Sequence, residues 1–179
     1  IPAGEVRDCD DYEEVLERVR ACADGLLAAG ISSEDRVAII SENRPEWALA
    51  DYACLCVRVQ DVPIHSTLPA EQIAYILNDS GARFVFAADG EQMHKVLEAA
   101  TSLSLEVSVV VFDAPAELPA GVVTWTEHLD RGRALDGRPP EAEFRAQALT
   151  ARPEDVATIL YTSGTTGKPK GVVISYRYL

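Results

Sequence analysis

"DVPIHSTLPAEQIAYILNDSGARFVFA", residues 61–87, holds one complete structural unit. Asp61–His65 is a short β-rich run and Pro69 opens a helix. Ile73, Ile76 and Leu77 recur on one face of that helix, and Gly81 closes it before a second β-rich run, "RFVFA". A predicted strand, helix and strand in succession carries the chain back in its original direction, which builds a parallel sheet.

The same rhythm extends on both sides. Upstream, Tyr12, Val15, Leu16, Val19, Cys22, Leu26 and Leu27 recur at three- and four-residue steps. They predict a helix over 11–29, with Asp10 or Asp11 as cap and Gly30 as stop. "RVAII" (Arg36–Ile40) reads as a strand. Asn43 and Pro45 then mark a helix start, and "EWALADYACLCV" is apolar almost all round, which predicts a buried helix. Downstream, "GEQMHKVLEAA" reads as helix and "EVSVVVF" as strand. The units recur about every 20–25 residues, the pattern of a layered α/β fold with right-handed crossovers. Between Asp113 and Ala151 the rhythm loosens into "APAELPAG" and "RGRALDGRPPEAEF", around a short helical candidate at Thr126–Asp130. It returns with the strand "EDVATILY". The expected class is therefore a parallel-sheet-rich α/β layer. Strand–helix repeats occupy 11–112, a loop-rich connection 113–151, and a strand–loop–strand unit 152–179. There is no internal repeat and no low-complexity tract.

A hydrophobic fraction of 47% and a charged fraction of 25% are ordinary for a soluble globular chain of 179 residues. The net charge of −13 argues against a nucleic-acid partner, which calls for a basic stripe. No apolar run reaches the length of a membrane span and no signal peptide opens the sequence. The first residue is Ile1, so a trimmed start or a fragment is expected. Cys9, Cys22, Cys54 and Cys56 form no Cys-x-x-Cys pair and have no histidine at finger spacing, so no metal site is expected. Cys54 and Cys56 lie in an apolar segment and are expected buried and reduced, in a cytosolic protein.

The densest chemistry is "LYTSGTTGKPKGVVIS", residues 160–175. Gly164 and Gly167 let backbone N–H groups approach a ligand closely. Thr162, Ser163, Thr165 and Thr166 add hydroxyl donors. The chain has three lysines, and two of them, Lys168 and Lys170, stand here. Pro169 stiffens the exit. A triphosphate suits this donor set. The spacing is not that of a Walker A loop, because only two residues separate Gly164 from Gly167 and Lys168 precedes proline rather than Ser or Thr. Both flanks read as strands, so no helix dipole assists. A plain turn is the alternative reading of any Gly/Ser/Thr cluster.

"YTSGTTGKPKGV" (Tyr161–Val172) resembles the signature phosphate loop of the adenylate-forming enzymes: acyl-CoA synthetases, firefly luciferase and the adenylation domains of peptide synthetases. "GISSEDRVAIISENRPEWALADYACLC" and "DVPIHSTLPAEQIAYILNDSGARFVF" resemble the first third of long-chain fatty acyl-CoA synthetases. The likeness runs from about residue 11 to the end and is weakest over 113–150. It implies the fold of that family's N-terminal domain, and a reaction in which a carboxylate attacks the α-phosphate of ATP with Mg2+. An acyl-adenylate and pyrophosphate form, and coenzyme A then displaces AMP. It also implies that Thr162, Ser163, Gly164, Thr165, Thr166, Gly167, Lys168 and Lys170 contact the nucleotide, and that a fatty acid is the substrate. Catalytic residues are expected downstream of Leu179, so the chain is expected to be a piece of that domain without turnover of its own. Long-chain acyl groups partition into bilayers, so contact with a membrane surface is compatible, although no anchor is encoded.

Some positions depart from the fatty-acid branch. "VRVQ" follows Cys56 where small residues are usual, and Arg58 is expected as a last-turn helix cation. "IHST" places His65 and Ser66 in place of the more usual "IYPT", and "SYRYL" places Tyr176 and Tyr178 where His and Asn are usual. His65, His94 and His128 read as structural or surface residues. Three alternatives stay open: activation of an aromatic or amino acid, a non-enzymatic nucleotide-binding module, and a serine hydrolase using Ser163. The last lacks a Gly-x-Ser-x-Gly elbow.

Overall fold

The computed structural model describes residues 11–103, 106–162 and 168–179. Helix α1 (Tyr12–Ala28) begins where the Asp11 carboxylate accepts the Glu14 N–H at 2.9 Å. It ends on Gly30 in the left-handed region, with Gly30 N–H bonded to Leu27 O and Ile31 N–H to Leu26 O. There follow β1 (Arg36–Ile40), α2 (Pro45–Cys56), β2 (Gln60–Ile64), α3 (Ala70–Ser80), β3 (Phe84–Ala87), α4 (Gly90–Leu103) and β4 (Ser108–Val111). Each lies where the apolar pattern and its Pro, Gly and Asn boundaries placed it.

Seven strands form one sheet in the order β5-β4-β3-β1-β2-β6-β7. Here β5 is Val122–Thr124, β6 Val156–Thr162 and β7 Lys170–Ser175. Every neighbouring pair is parallel except β6–β7, which is antiparallel. The order reverses at β1. Its following helix, α2, packs on one face of the sheet, while α4, after β3, packs on the other. Successive strand residues accordingly serve two cores: Val37, Ile39, Phe84, Phe86 and Val110 face the α1–α2 side, and Ala38, Ile40, Val85, Ala87 and Val109 face the α3–α4 side. Burial on both faces is why these strands read as continuous apolar runs rather than alternating ones.

Three expectations are corrected. The 113–151 connection carries more regular structure than its rhythm suggests: β5, then α5 (Trp125–Arg133) and α6 (Glu141–Ala148). Helix α5 outruns the Thr126–Asp130 candidate because Gly132 is a contact, not a break. A Cβ there would stand 1.9 Å from Ala21 O, and one on Gly25 would stand 2.7 Å from the His128 ring, so these two glycines let α5 lie directly on α1. Arg138 pairs with the fully buried Asp24, and Arg133 with Glu17, pinning the connection to α1. Second, α2 is buried on one side only. Leu49, Ala50, Ala53 and Cys54 are covered, whereas Tyr52 is 56% exposed and Cys56 half-buried. Third, Arg58 is not in the last turn of α2. It sits past the Val57 cap at φ 58°, the left-handed position that Gly30 fills after α1.

Candidate functional site

Parallel strands with helices on both faces bind ligands beyond their carboxyl ends, most often where the strand order reverses. In this chain that crevice, between the ends of β1 and β3, is crossed by Arg44. Its guanidinium donates to both Asp113 carboxylate oxygens (2.8 and 3.0 Å) and to Glu46 (2.7 Å), and lies over the Phe112 ring. The end of β6, which runs parallel to β2, lies on the same carboxyl edge.

There the chain leaves the sheet at Thr162 and re-enters it at Lys170, and these two residues are register partners across the β6–β7 pair. Thr162, Lys168 and Lys170 are exposed, so a hydroxyl and two ammonium groups stand at one end of one hairpin. Among the described residues neither lysine has a carboxylate partner, in a chain with 29 acidic side chains. Ser163, Gly164, Thr165, Thr166 and Gly167, the other expected nucleotide contacts, lie outside the described residues.

The hairpin rests on α3. Tyr161, just before Thr162, donates its phenol to Asp79 at 2.7 Å. Burial, and then the Asp79 carboxylate, push that phenol up in pKa, so it stays a donor. Gly171 makes room for the Tyr161 ring, since a Cβ at that position would lie 3.2 Å from Cζ and 3.1 Å from Ile159. Lys168 Nζ stands 6.0 Å from the centre of the Tyr75 ring. Sequence reasoning missed Tyr75, Asp79 and the packing role of Gly171. The only signal was the four-residue spacing of Tyr75 and Asp79, which puts both on one side of α3.

At the inner border of the hairpin, Thr158 donates its hydroxyl to the buried Asp61 at 3.1 Å, and the second Asp61 oxygen has no partner among the described residues. Burial and the nearby Asp51 charge raise the Asp61 pKa to about 7. Tyr176 donates its phenol to Leu55 O at 2.8 Å, which ties the turn after β7 (Tyr176–Tyr178) to α2. His65 and His94 are exposed. His128 is buried in the α1–α5 contact beside Cys22, and burial lowers its pKa to about 4. Among the described residues no group of three His, Cys, Asp or Glu side chains could hold a metal ion, and no helix is long and apolar enough to cross a membrane.

The chain belongs to the family described as AMP-binding enzyme, whose model matches residues 11–179. Among its relatives, the long-chain-fatty-acid–CoA ligase FadD15 of Mycobacterium bovis is 38% identical over 158 residues, covering 88% of this chain and 25% of the relative. The peroxisomal long chain acyl-CoA synthetase 7 of Arabidopsis thaliana is 31% identical, with 92% and 23% covered. The chain thus spans about a quarter of the length of these relatives. Among solved structures, the N-terminal domain of FACL13 from Mycobacterium tuberculosis aligns at TM-score 0.68 and 27% identity, over 92% of this chain and 37% of that one. A luciferase-like enzyme from the mealworm Zophobas morio shares the fold at TM-score 0.75 and 23% identity, covering 93% and 36%.

Proposed function

We propose that this chain forms part of a long-chain fatty acid–CoA ligase, in which Thr162 to Lys170 bind the phosphates of ATP during formation of an acyl-adenylate and pyrophosphate, before thioester formation with coenzyme A. The observation that carries the reading is the pair of lysines without carboxylate partners among the described residues, beside Thr162 at the carboxyl edge. A polyanion fits that donor set. Thr162, Lys168 and Lys170, with Ser163, Gly164, Thr165, Thr166 and Gly167, hold the β- and γ-phosphates. They offset charge that builds on the departing pyrophosphate. No described residue is assigned to Mg2+ or coenzyme A. The fatty acid is the substrate in the names of the relatives, a cytosolic setting rests on the free cysteines Cys22, Cys54 and Cys56, and contact with a membrane surface rests on the chemistry of long acyl chains.

The test is carboxylate-dependent exchange of pyrophosphate into ATP, run on this chain and on the full-length polypeptide with palmitate, acetate and a phenylpropanoid acid. Exchange by the full-length polypeptide alone, strongest with palmitate, is expected. In it, Thr165→Ala or Lys170→Ala slows adenylate formation by about 10²-fold. Unchanged rates in both variants remove the loop from the mechanism, and preference for the aromatic acid overturns the fatty-acid assignment.

A further inference from the structure

Both ends of the phosphate loop touch the same helix. Tyr75 and Asp79 lie one turn apart on α3. The first meets Lys168 on the return side of the loop, and the second holds Tyr161 on the outgoing side. Helix α3 is a firm base for them. Ile73, Ala74, Ile76 and Leu77 bury its opposite side, Gly81 in the left-handed region closes it, and Arg36 Nε donates to Ser80 O at 2.9 Å.

The two contacts have chemistry that plain packing does not require. An acid in the last turn of a helix opposes the helix dipole. Asp79 stands there, and its carboxylate accepts from the phenol of a residue 82 positions away. Lys168 is set against an aromatic face. A carboxylate partner would neutralise the ammonium and compete with phosphate, whereas a ring face orients the charge and leaves its full value to act on an anion. Thr162 and Lys170 are held in register between these two contacts.

We propose that Tyr75 and Asp79 are positioning residues for the nucleotide. Tyr75 holds the Lys168 ammonium in place without neutralising it, and Asp79 fixes the strand that presents Thr162 by anchoring Tyr161. This rests on the reading of the loop as the site for ATP phosphates. Neither residue belongs to the loop motif, and neither touches the nucleotide in this assignment.

The experiment is steady-state pyrophosphate exchange on the full-length polypeptide, with KM for ATP and kcat measured separately and melting temperature followed alongside. Tyr75→Leu is expected to raise KM for ATP by about three- to fivefold with kcat little changed, and Tyr75→Phe, which keeps the ring face, to restore KM. Asp79→Ala and Tyr161→Phe are expected to lower kcat by about tenfold, since a small misplacement of a phosphate contact is costly. Asp79→Asn, whose amide oxygen still accepts from the phenol, recovers most of that loss. Tyr161→Phe keeps the ring on Gly171, so its effect does not depend on refolding. The inference is overturned if Tyr75→Leu and Tyr161→Phe leave KM and kcat within twofold of wild type, or if activity falls only in step with melting temperature and Asp79→Asn is no better than Asp79→Ala. Absence of exchange in the wild-type polypeptide overturns the functional reading itself, a separate result.

Discussion

Arg58 and Gly30 end two helices in the same way. Past α2, Val59 N–H bonds to Cys54 O at 2.9 Å and Arg58 N–H to Leu55 O at 3.2 Å, the pattern that Ile31 and Gly30 make past α1. Glycine takes that conformation freely, whereas a side chain with a Cβ loses about 1–2 kcal/mol. Arg58→Gly is therefore expected to stabilise the chain, by about 0.5–1 kcal/mol once the freer unfolded chain is counted. Thermal unfolding followed by circular dichroism checks it, with a rise in melting temperature of about 1–4 °C. Nothing in an arginine's sequence context announces a positive φ, so this feature was legible only as a departure from small residues. The contacts of Tyr75 and Asp79 were equally hidden, because their partners lie in a different part of the chain.

At the scale of elements, legibility followed burial. Strands β1 to β4 are covered on both faces and bounded by turn residues, so their apolar runs located them. Helix α6 offers a single buried apolar residue, Phe144, and no stripe for periodicity to find. Strand β5 has three residues, too few for a pattern. Helix α5 runs past the Asp130 end of its sequence candidate through Gly132, the point of closest approach to α1. Gly132→Ala is expected to force the two helices apart, because the obstructing atoms are backbone and cannot rotate away. A loss of about 1–3 kcal/mol or more follows. Differential scanning calorimetry should show the drop, while alanine at Gly137, where a Cβ meets nothing within 4 Å but φ is +72°, should cost only the smaller conformational penalty.

At the scale of the whole molecule, the buried Asp61 and His128 act in opposite directions on the response to pH, and Asp51, whose pKa burial raises to about 6, acts in the same sense as Asp61. Asp61 has a folded pKa of about 7, above its ordinary 3.8, because burial and then the Asp51 charge disfavour the carboxylate. The folded state holds that proton more tightly, so the Asp61 contribution is full below pH 3.8 and is lost as pH rises through about 7. His128 has a folded pKa of about 4, below its ordinary 6.5, because burial disfavours the imidazolium. Its contribution is present above pH 6.5 and is lost as pH falls toward 4. The two slopes oppose one another between pH 4 and 6.5. Asp61→Asn removes one of them. Its melting temperature is expected to exceed that of the wild type most above pH 7, and the difference should shrink to nothing near pH 4. A difference independent of pH would show that Asp61 does not titrate in this range.

The bond between Thr158 and Asp61 spans 97 residues of chain, whereas β6 and β7 are joined across a short hairpin. Short connections close early and distant ones late, because the entropy of closure grows with the length enclosed. During synthesis from the amino end, β1 to β5 and the helices between them emerge before β6 exists. The doubly wound part can therefore assemble first, with α3 already in place. The strands that carry the phosphate loop arrive after it, as a local hairpin fitted onto a surface that is already folded.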